Sequence, residues 1–337
     1  MPPEAPAARH PARAASALAG TDSAGHAARL QVWRQRSQIG FYLLFLSAPA
    51  LNLLRFDLYE TQLWFLGLRW SLGIDALRLG QITATQAGFS VLLRGIVPAL
   101  LLAGGFLTIA YRYGRLYCGW LCPHFSMVEM LNSLLHRACG KFSLWEISAT
   151  PLKGRTAQAR WWPVFALSCI LMGFVWSITL LTYLLPPAVI WSGLLQGTLT
   201  GNQARFILIG GALFSAEFAF ARHFFCRFGC AVGLFQSLAW MANPRAMVVA
   251  FSRERARECR SCDAPRGSAC DSVCPMRLNP RNIKRMMFSC VQCGQCLDAC
   301  ESSQPSMAAH PNLEWKVGEG ALRETLRQRQ RELQERR

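Results

Sequence analysis

Eight cysteines between positions 259 and 300 form two groups with a spacing that suits one kind of chemistry. The later group has the pattern C-x2-C-x2-C-x3-C, and the earlier one has C-x2-C-x7-C-x3-C followed by Pro275. A cubane iron–sulfur cluster needs four thiolates, and three of them fit one tight loop when they are three residues apart. The pattern therefore predicts a bacterial-type ferredoxin domain with two [4Fe–4S] clusters.

In two-cluster ferredoxins the fourth cysteine of each group binds the cluster of the other group. This exchange defines two ligand sets. The first cysteine set is Cys259, Cys262, Cys270 and Cys300, and the second cysteine set is Cys274, Cys290, Cys293 and Cys296. Gly294 lets the second loop approach its cluster closely. The seven residues from Asp263 to Ala269 widen the first group, so we expect the first cluster to be the irregular one.

Zinc and disulfides are the alternatives for these cysteines. Zinc sites usually take two C-x2-C pairs separated by a longer loop, and the third cysteine at the next three-residue step favours a cluster. Disulfides require an oxidising compartment. A non-redox membrane scaffold with zinc sites stays open as the second alternative function.

The remainder of the chain has the composition of a membrane protein. Of its 337 residues, 52% are hydrophobic and 16% are charged. A bilayer-spanning helix needs about 20 mostly apolar residues. We predict an all-α membrane protein with four transmembrane helices, followed by the ferredoxin domain. The predicted spans are residues 38–54, 89–111, 161–185 and 204–225.

This prediction divides the chain into four parts. They are a disordered basic lead (1–37), the four-helix membrane domain (38–245), the two-cluster ferredoxin domain (246–312) and an exposed, charged helical tail (313–337).

Charge in the loops predicts the orientation. Lys and Arg are frequent in the lead, in the loop from 112 to 160 and after 225, whereas the loop from 186 to 203 carries no charge. By the positive-inside rule, both termini and the ferredoxin domain lie on the cytoplasmic side of a bacterial inner membrane. The formal net charge of +17 is explained by this rule and by anionic lipids, so we expect no nucleic-acid partner.

A second cysteine motif, C-x3-C, follows the second and the fourth predicted spans. Its members are Cys118, Cys122, Cys226 and Cys230. Pro123 follows the first copy and Ala231 the second. The recurrence predicts two pseudo-repeated hairpins that bring the four thiols together near the membrane surface. Such thiols could bind a further cluster or copper, act as a redox pair, or only fill space.

Glu217 lies inside the fourth predicted span, and acids within a membrane are functional candidates. It could exchange protons with a quinol, pair with Arg222 or lie near the headgroups. His124 and His223 flank the C-x3-C motifs, but one histidine beside each motif is not a ligand set.

The combination of paired hairpins, CGWLCP, a second C-x3-C and the double cluster motif resembles the NapH/NosR/FixG group of membrane polyferredoxins, from about Phe41 to Cys300. The segments 65–68, 235–237 and 248–249 resemble the FixG branch most. From this sequence we expect a protein without the C-terminal domain of FixG proteins and without the flavin-binding domain of NosR, and Ala231 follows Cys230 where the first motif has a proline.

The resemblance implies electron transfer in a respiratory chain, between cytoplasmic clusters and a quinone or a partner redox subunit at membrane level. Its FixG branch implies an alternative, a copper-reducing assembly factor for a respiratory oxidase. Whether the chain is itself an enzyme or a subunit of a quinol-linked oxidoreductase is left open.

Overall fold

A computed structural model describes residues 11–60, 62–147, 149, 156–262, 268–303 and 311–335. Its longest helix, α1, runs from Pro11 to Ser47. Residues 11–37 therefore lie in a helix and not in a disordered lead, because alanine-rich sequence favours helix and the second half of α1 packs against the rest of the chain. Residues 1–10 of the predicted lead lie outside the described residues.

The chain leaves α1 at Ser47 and enters a small antiparallel sheet in the order β1-β2-β3. The strands are β1 (Leu54–Asp57), β2 (Gln62–Phe65) and β3 (Leu68–Trp70). Leu66 and Gly67 join β2 to β3 with φ of 50° and 77°, which matches the left-handed turns that two-residue hairpins prefer. The first predicted span, 38–54, is thus wrong as a continuous helix, because only residues 38–47 of it are helical.

Among the described residues, three helices are long and apolar enough to cross a bilayer: Ala84–Tyr113, Trp161–Thr182 and Gly201–Gly229. They correspond to the second, third and fourth predicted spans. The short helix α2 (Ile74–Arg78) precedes the first of them.

Two of these helices are interrupted by π-helical turns. The first consists of α3 (Ala84–Val91), a π turn (Leu92–Ile96) and α4 (Val97–Tyr113). The second of the three membrane helices is the continuous helix α7 (Trp161–Thr182), which is followed by α8 (Pro187–Gln196). The third consists of α9 (Gly201–Ala216), a π turn (Glu217–Ala221), α10 (Arg222–Phe224) and a π turn (Phe225–Gly229).

Helices α7 and α9 form an extensive contact through small residues. A side chain at Gly173 would lie 2.3 Å from Ser215 Oγ, and one at Gly211 would lie 2.7 Å from the Phe174 ring. Small residues let membrane helices approach closely.

Three helices surround the four cysteines of the C-x3-C motifs, which are called the membrane-side cysteines below. They are α5 (Leu116–Trp120), α6 (Pro123–Cys139) and α11 (Ala231–Ala242). Helix α11 packs along α4, and α6 packs on α1 and α7.

The ferredoxin part contains helices α12 (Ala269–Ser272) and α13 (Gln295–Ser303), the strands β4 (Val248–Phe251) and β5 (Leu313–Lys316), and 3-10 turns at Arg253–Ser261 and Lys284–Met287. Strand β5 pairs antiparallel with β4. The mostly helical fold is confirmed, but the two small sheets β1-β2-β3 and β4-β5 correct the all-α description. Their strands contain aromatic or β-branched residues, which favour strand pairing.

The predicted tail begins with strand β5 and continues as α14 (Glu319–Glu335). Ala321, Glu324 and Gln328 are buried, and Gln328 Oε1 accepts a hydrogen bond from the backbone nitrogen of Lys284 at 2.8 Å. The tail is therefore docked along one face and exposed along the other, where Leu326 and Leu333 lie.

Candidate iron–sulfur and thiol site

The second cysteine set lines one small void. Cys274, Cys290, Cys293 and Cys296 share it with apolar neighbours that include Val249 and Met287. Cys274 follows α12, Cys290 and Cys293 lie in the loop before α13, and Cys296 lies in the first turn of α13. Gly294, with φ of 74°, makes the turn between Cys293 and Cys296. This donor set and its apolar enclosure fit a cubane cluster.

Backbone N–H groups point at the sulfurs of this set. Leu278 N donates to Cys274 Sγ at 3.4 Å, and the backbone of Gln292 donates to Cys290. Burial outweighs these donors and raises the pKa of Cys290 to about 12. A bound cluster would supply positive charge that stabilises thiolates at this place.

The four residues of the first cysteine set also lie near one another. Burial raises the pKa of Cys300, and the neighbouring Cys259 and Cys262 add to that rise. The sulfur of Cys270 interacts with that of Cys300 in the same way. The predicted irregular insert falls mainly on residues 263–267, outside the described residues, so that irregularity stays a prediction.

Two donors contact the sulfurs of the first set. Ala269 N donates to Cys262 Sγ at 3.4 Å, and Asn312 Nδ2 donates to Cys259 Sγ at 3.7 Å. Asn312 follows the cysteines by 12 residues or more, so the spacing of the motif carries no signal for it.

Within the described part of the chain, no three His, Cys, Asp or Glu side chains converge on a point that could hold a single metal ion. A cubane cluster does not require such convergence, because each thiolate binds a different iron. A mononuclear zinc or copper site gains no geometric support from this arrangement.

The two C-x3-C motifs occupy matching places in the fold. Cys118 lies in α5 and Cys226 in a π turn, while Cys122 and Cys230 are the N-cap residues of α6 and α11. Each motif thus ends a membrane segment and begins the next helix.

Each motif also touches the helix that follows the other. Cys118 Sγ donates to Gln236 Oε1 of α11 at 3.1 Å, and Cys226 Sγ lies 3.5 Å from His124 Nδ1 of α6. Cys118 and Cys226 belong to one buried core, with Cys122 packed against it. The structure therefore places the two motifs in contact, while the pseudo-repeated hairpins and the chemical role of the thiols stay predictions.

Arg115 ties the two motifs to each other and was not predicted from the sequence. Arg115 is 2% exposed, and its guanidinium donates to the carbonyl oxygen of Cys226 at 2.5 Å. Gly233 leaves the space for it, because a side chain there would lie 2.0 Å from Arg115 Nη2. In the sequence Arg115 looks like one more basic loop residue, so no pattern distinguishes it.

Glu217 contacts a histidine in the described structure. Its Oε2 lies 3.1 Å from His124 Nε2, whereas Arg222 donates to Asn132 Oδ1 at 2.9 Å. Glu217, His124 and Cys226 thus form a continuous contact chain from the membrane helix to the thiols. The pairing of Glu217 with Arg222 is not the one observed, and His124 has a larger part in the site than the sequence suggested.

The first C-x3-C motif lies directly on the loop of the second cysteine set. A side chain at Gly119 would lie 2.2 Å from the carbonyl oxygen of Val291. Trp120 Nε1 donates to the carbonyl oxygen of Gln292 at 3.1 Å. Cys118, Cys226, Cys274 and Cys293 all belong to the same buried core. These contacts pack the first C-x3-C motif against the loop of the second cysteine set.

A buried ion pair holds α1 against the junction, that is, the contact between the first C-x3-C motif and the loop of the second cysteine set. Arg34, 1% exposed, makes two hydrogen bonds to the Glu129 carboxylate, at 2.6 and 2.8 Å. Gln295 of α13 donates to that carboxylate as well, and Gln31 Nε2 donates to the carbonyl oxygen of Cys293 at 3.1 Å. The bidentate geometry is the strong form of this interaction. Arg34 was predicted only as one of the basic residues of the lead.

Comparison with known proteins supports the iron–sulfur interpretation independently of the site geometry. Residues 96–141 match the protein family described as "4Fe-4S binding domain". The matched segment contains α4, α5 and α6, hence Cys118 and Cys122 but none of the eight cysteines of the ferredoxin part.

Two curated proteins of Escherichia coli K12 are similar to the chain. "Putative electron transport protein YccM" is 22% identical over 212 residues, which is 60% of this chain and 53% of that protein. "Ferredoxin-type protein NapH" is 25% identical over 218 residues, 61% of this chain and 67% of that protein. This chain is similar to one protein described as an electron transport protein and to one described as ferredoxin-type. The resemblance stated from the motifs is thereby confirmed. The chain matches about half the length of the first relative and two thirds of the second. No solved structure matches it.

Proposed function

We propose that the chain is an inner-membrane iron–sulfur protein that carries electrons between a cytoplasmic ferredoxin domain and an acceptor or donor at membrane level. One observation carries the proposal. A single buried core holds Cys274 and Cys293 of the second cysteine set together with Cys118 and Cys226 of the membrane-side motifs.

Bound [4Fe–4S] clusters would supply one-electron chemistry at the two cysteine sets. The chain's own residues hold the thiolates and exclude water. Val291 and Met287, 2% and 4% exposed, close the void around the second set. The contact of Gly119 with Val291 fixes the distance between this set and the membrane domain.

A cavity at the junction supports a quinone as the membrane-level partner. It has a volume of about 630 Å³ and lies between α1, α6 and α13, within the range of small-molecule sites. Ile39, Tyr42 and Met130 line its apolar side, and Glu129 and Gln295 its polar side. Such a gradient suits a molecule with a polar head and an apolar tail, next to the second cysteine set.

The path of α1 supports four crossings. Near one end Gln31 contacts Cys293 of the ferredoxin part, and near the other the carbonyl oxygen of Phe45 accepts from Tyr183 Oη at 2.9 Å. Tyr183 caps α7, a candidate membrane helix. Helix α1 thus runs from the ferredoxin side to the far end of α7, so we propose two hairpins with both termini on the cytoplasmic side.

The test is a metal and redox analysis of the full-length protein, purified in detergent and reconstituted without oxygen. We expect about eight irons and eight labile sulfides per chain and electron paramagnetic resonance signals of reduced [4Fe–4S] clusters after dithionite. Stoichiometric zinc without labile sulfide would contradict the proposal in favour of the scaffold. Stoichiometric copper that is lost in a Cys118→Ser/Cys226→Ser variant would instead favour the assembly factor.

A further inference from the structure

Three arginines from separate segments line one cleft of about 420 Å³ on the ferredoxin part. Arg253 opens the 3-10 turn before the first cysteine set, Arg285 lies in the 3-10 turn Lys284–Met287, and Arg331 lies in α14. Among the described residues lining the cleft, Glu332 is the single carboxylate, and it lies 3.6 Å from Arg285. The cleft therefore has a positive charge excess.

The same short turn lines both this cleft and the void around the second cysteine set. Met286, 57% exposed, lines the cleft. The next residue, Met287, is 4% exposed and lines the void that holds Cys274 and Cys290. The 3-10 turn Lys284–Met287 thus contributes side chains both to the arginine cleft and to the void of the second cysteine set.

We propose that the arginine cleft is the docking site of a soluble, acidic one-electron carrier protein. This inference rests on the proposed electron-transfer function and names the partner on the cytoplasmic side. In each encounter the carrier loses one electron and the ferredoxin domain gains one, with no bond made or broken and no proton transferred.

Charge and shape both favour such a partner. A cluster of guanidinium groups attracts a carboxylate-rich surface from a distance and raises the rate of encounter. Exposed Met286, which lines the same cleft, offers an apolar contact beside the arginines. A small surface that combines charged and apolar side chains suits the small interfaces of transient redox complexes.

The test measures binding of a purified, oxidised flavodoxin, a carrier with an acidic surface, to the full-length protein with its clusters in lipid nanodiscs. We expect the Kd to rise as the salt concentration is raised from about 20 mM to about 200 mM. An Arg253→Glu/Arg331→Glu variant should bind about tenfold more weakly at low salt.

The matched control is Arg257→Glu/Arg329→Glu, which makes the same change in net charge outside the cleft. Arg257 lies on the same 3-10 turn as Arg253, and Arg329 lies about 200° around α14 from Arg331; both are exposed. The control should bind flavodoxin like the wild type. Equal Kd values for both variants would overturn the proposal.

A small-anion site is the competing outcome. If inorganic phosphate displaces flavodoxin at constant ionic strength, and phosphate binding is lost in the cleft variant, the cleft is a phosphate site and the proposal is wrong. Reduction of the clusters by dithionite is measured in the same samples. It distinguishes failure of the docking site from failure of the electron-transfer function. Normal reduction with no flavodoxin binding would refute the docking site alone, and absence of reducible clusters in the wild type would refute the electron-transfer function.

Discussion

The two cysteine sets differ in what surrounds them. The second set is enclosed between the ferredoxin part and the membrane domain, with Cys274, Cys293 and Cys296 no more than 9% exposed and Cys290 facing the same void. In the first set, Cys259 and Cys262 are only half-buried and belong to a basic 3-10 turn and its end. In the proposed function, the two clusters would therefore have different tasks, the first at the more exposed surface of the ferredoxin part and the second against the membrane helices.

The second set is held by hydrogen bonds from residues that are distant in the sequence. Gln31 of α1 and Trp120 of α5 donate to its loop from 172 or more positions away. The first set is held by its own neighbours and by Asn312. We therefore expect damage to the second set to spread into the membrane domain and damage to the first set to stay local.

The largest effect is expected from removing one cysteine of each set. Cys262→Ala and Cys293→Ala should each lower the iron content from about eight to about four per chain. Cys293→Ala should in addition lower the unfolding temperature of the membrane domain, because it opens a void in the shared core. Iron analysis and thermal unfolding in detergent measure both effects. The comparison of the two sets breaks down if Cys262→Ala destabilises the membrane domain equally.

A smaller effect, confined to the junction, is expected from Gly119→Ala. The added methyl group would overlap the carbonyl oxygen of Val291, 2.2 Å away, and relieving such overpacking costs about 1–3 kcal/mol. Gly104→Ala in α4 is the control, since a side chain there meets nothing within 4 Å. Hydrogen exchange should increase in the Cys290–Cys296 loop of the first variant and not in the loop of Cys259. Unchanged exchange in both loops would show that the junction is not fixed by this contact.

The smallest effect is expected from Asn312→Ala at the first set. Loss of the Asn312 Nδ2 donor to Cys259 Sγ removes a group that stabilises negative charge on the sulfur, so the reduction potential of one cluster should fall slightly. Potentiometric titration followed by electron paramagnetic resonance measures this shift. Exposed Asn279 provides the control variant Asn279→Ala, with no shift. A shift in the reduction potentials of both clusters in Asn312→Ala would contradict the separation of the two cysteine sets.

Local patterns in the sequence predicted the chemistry well and the contacts poorly. Cysteine spacing and hydropathy depend on neighbours within a few residues, so they indicated the ferredoxin-type relationship and three of the membrane helices. The end of α1 at Ser47 was missed, because Leu51, Leu53 and Leu54 are as apolar in a turn and a strand as in a helix.

The residues that join the two regions were missed for another reason. Arg34 and Glu129 are separated by 95 positions, and Arg115 and Cys226 by 111. A buried arginine has the same appearance in a sequence as an exposed one beside a membrane, where basic residues are common. Only the packing of α1, α5 and α6 shows which of them are held inside.

The N-cap positions of Cys122 and Cys230 have a further electrostatic consequence. A helix carries about half a positive elementary charge at its amino end, and here α6 and α11 both begin at a cysteine of the membrane-side motifs. Two such partial charges lie beside the buried Arg115. In the proposed electron-transfer function, negative charge that reaches these thiols would be stabilised by the two helix amino ends and by the guanidinium.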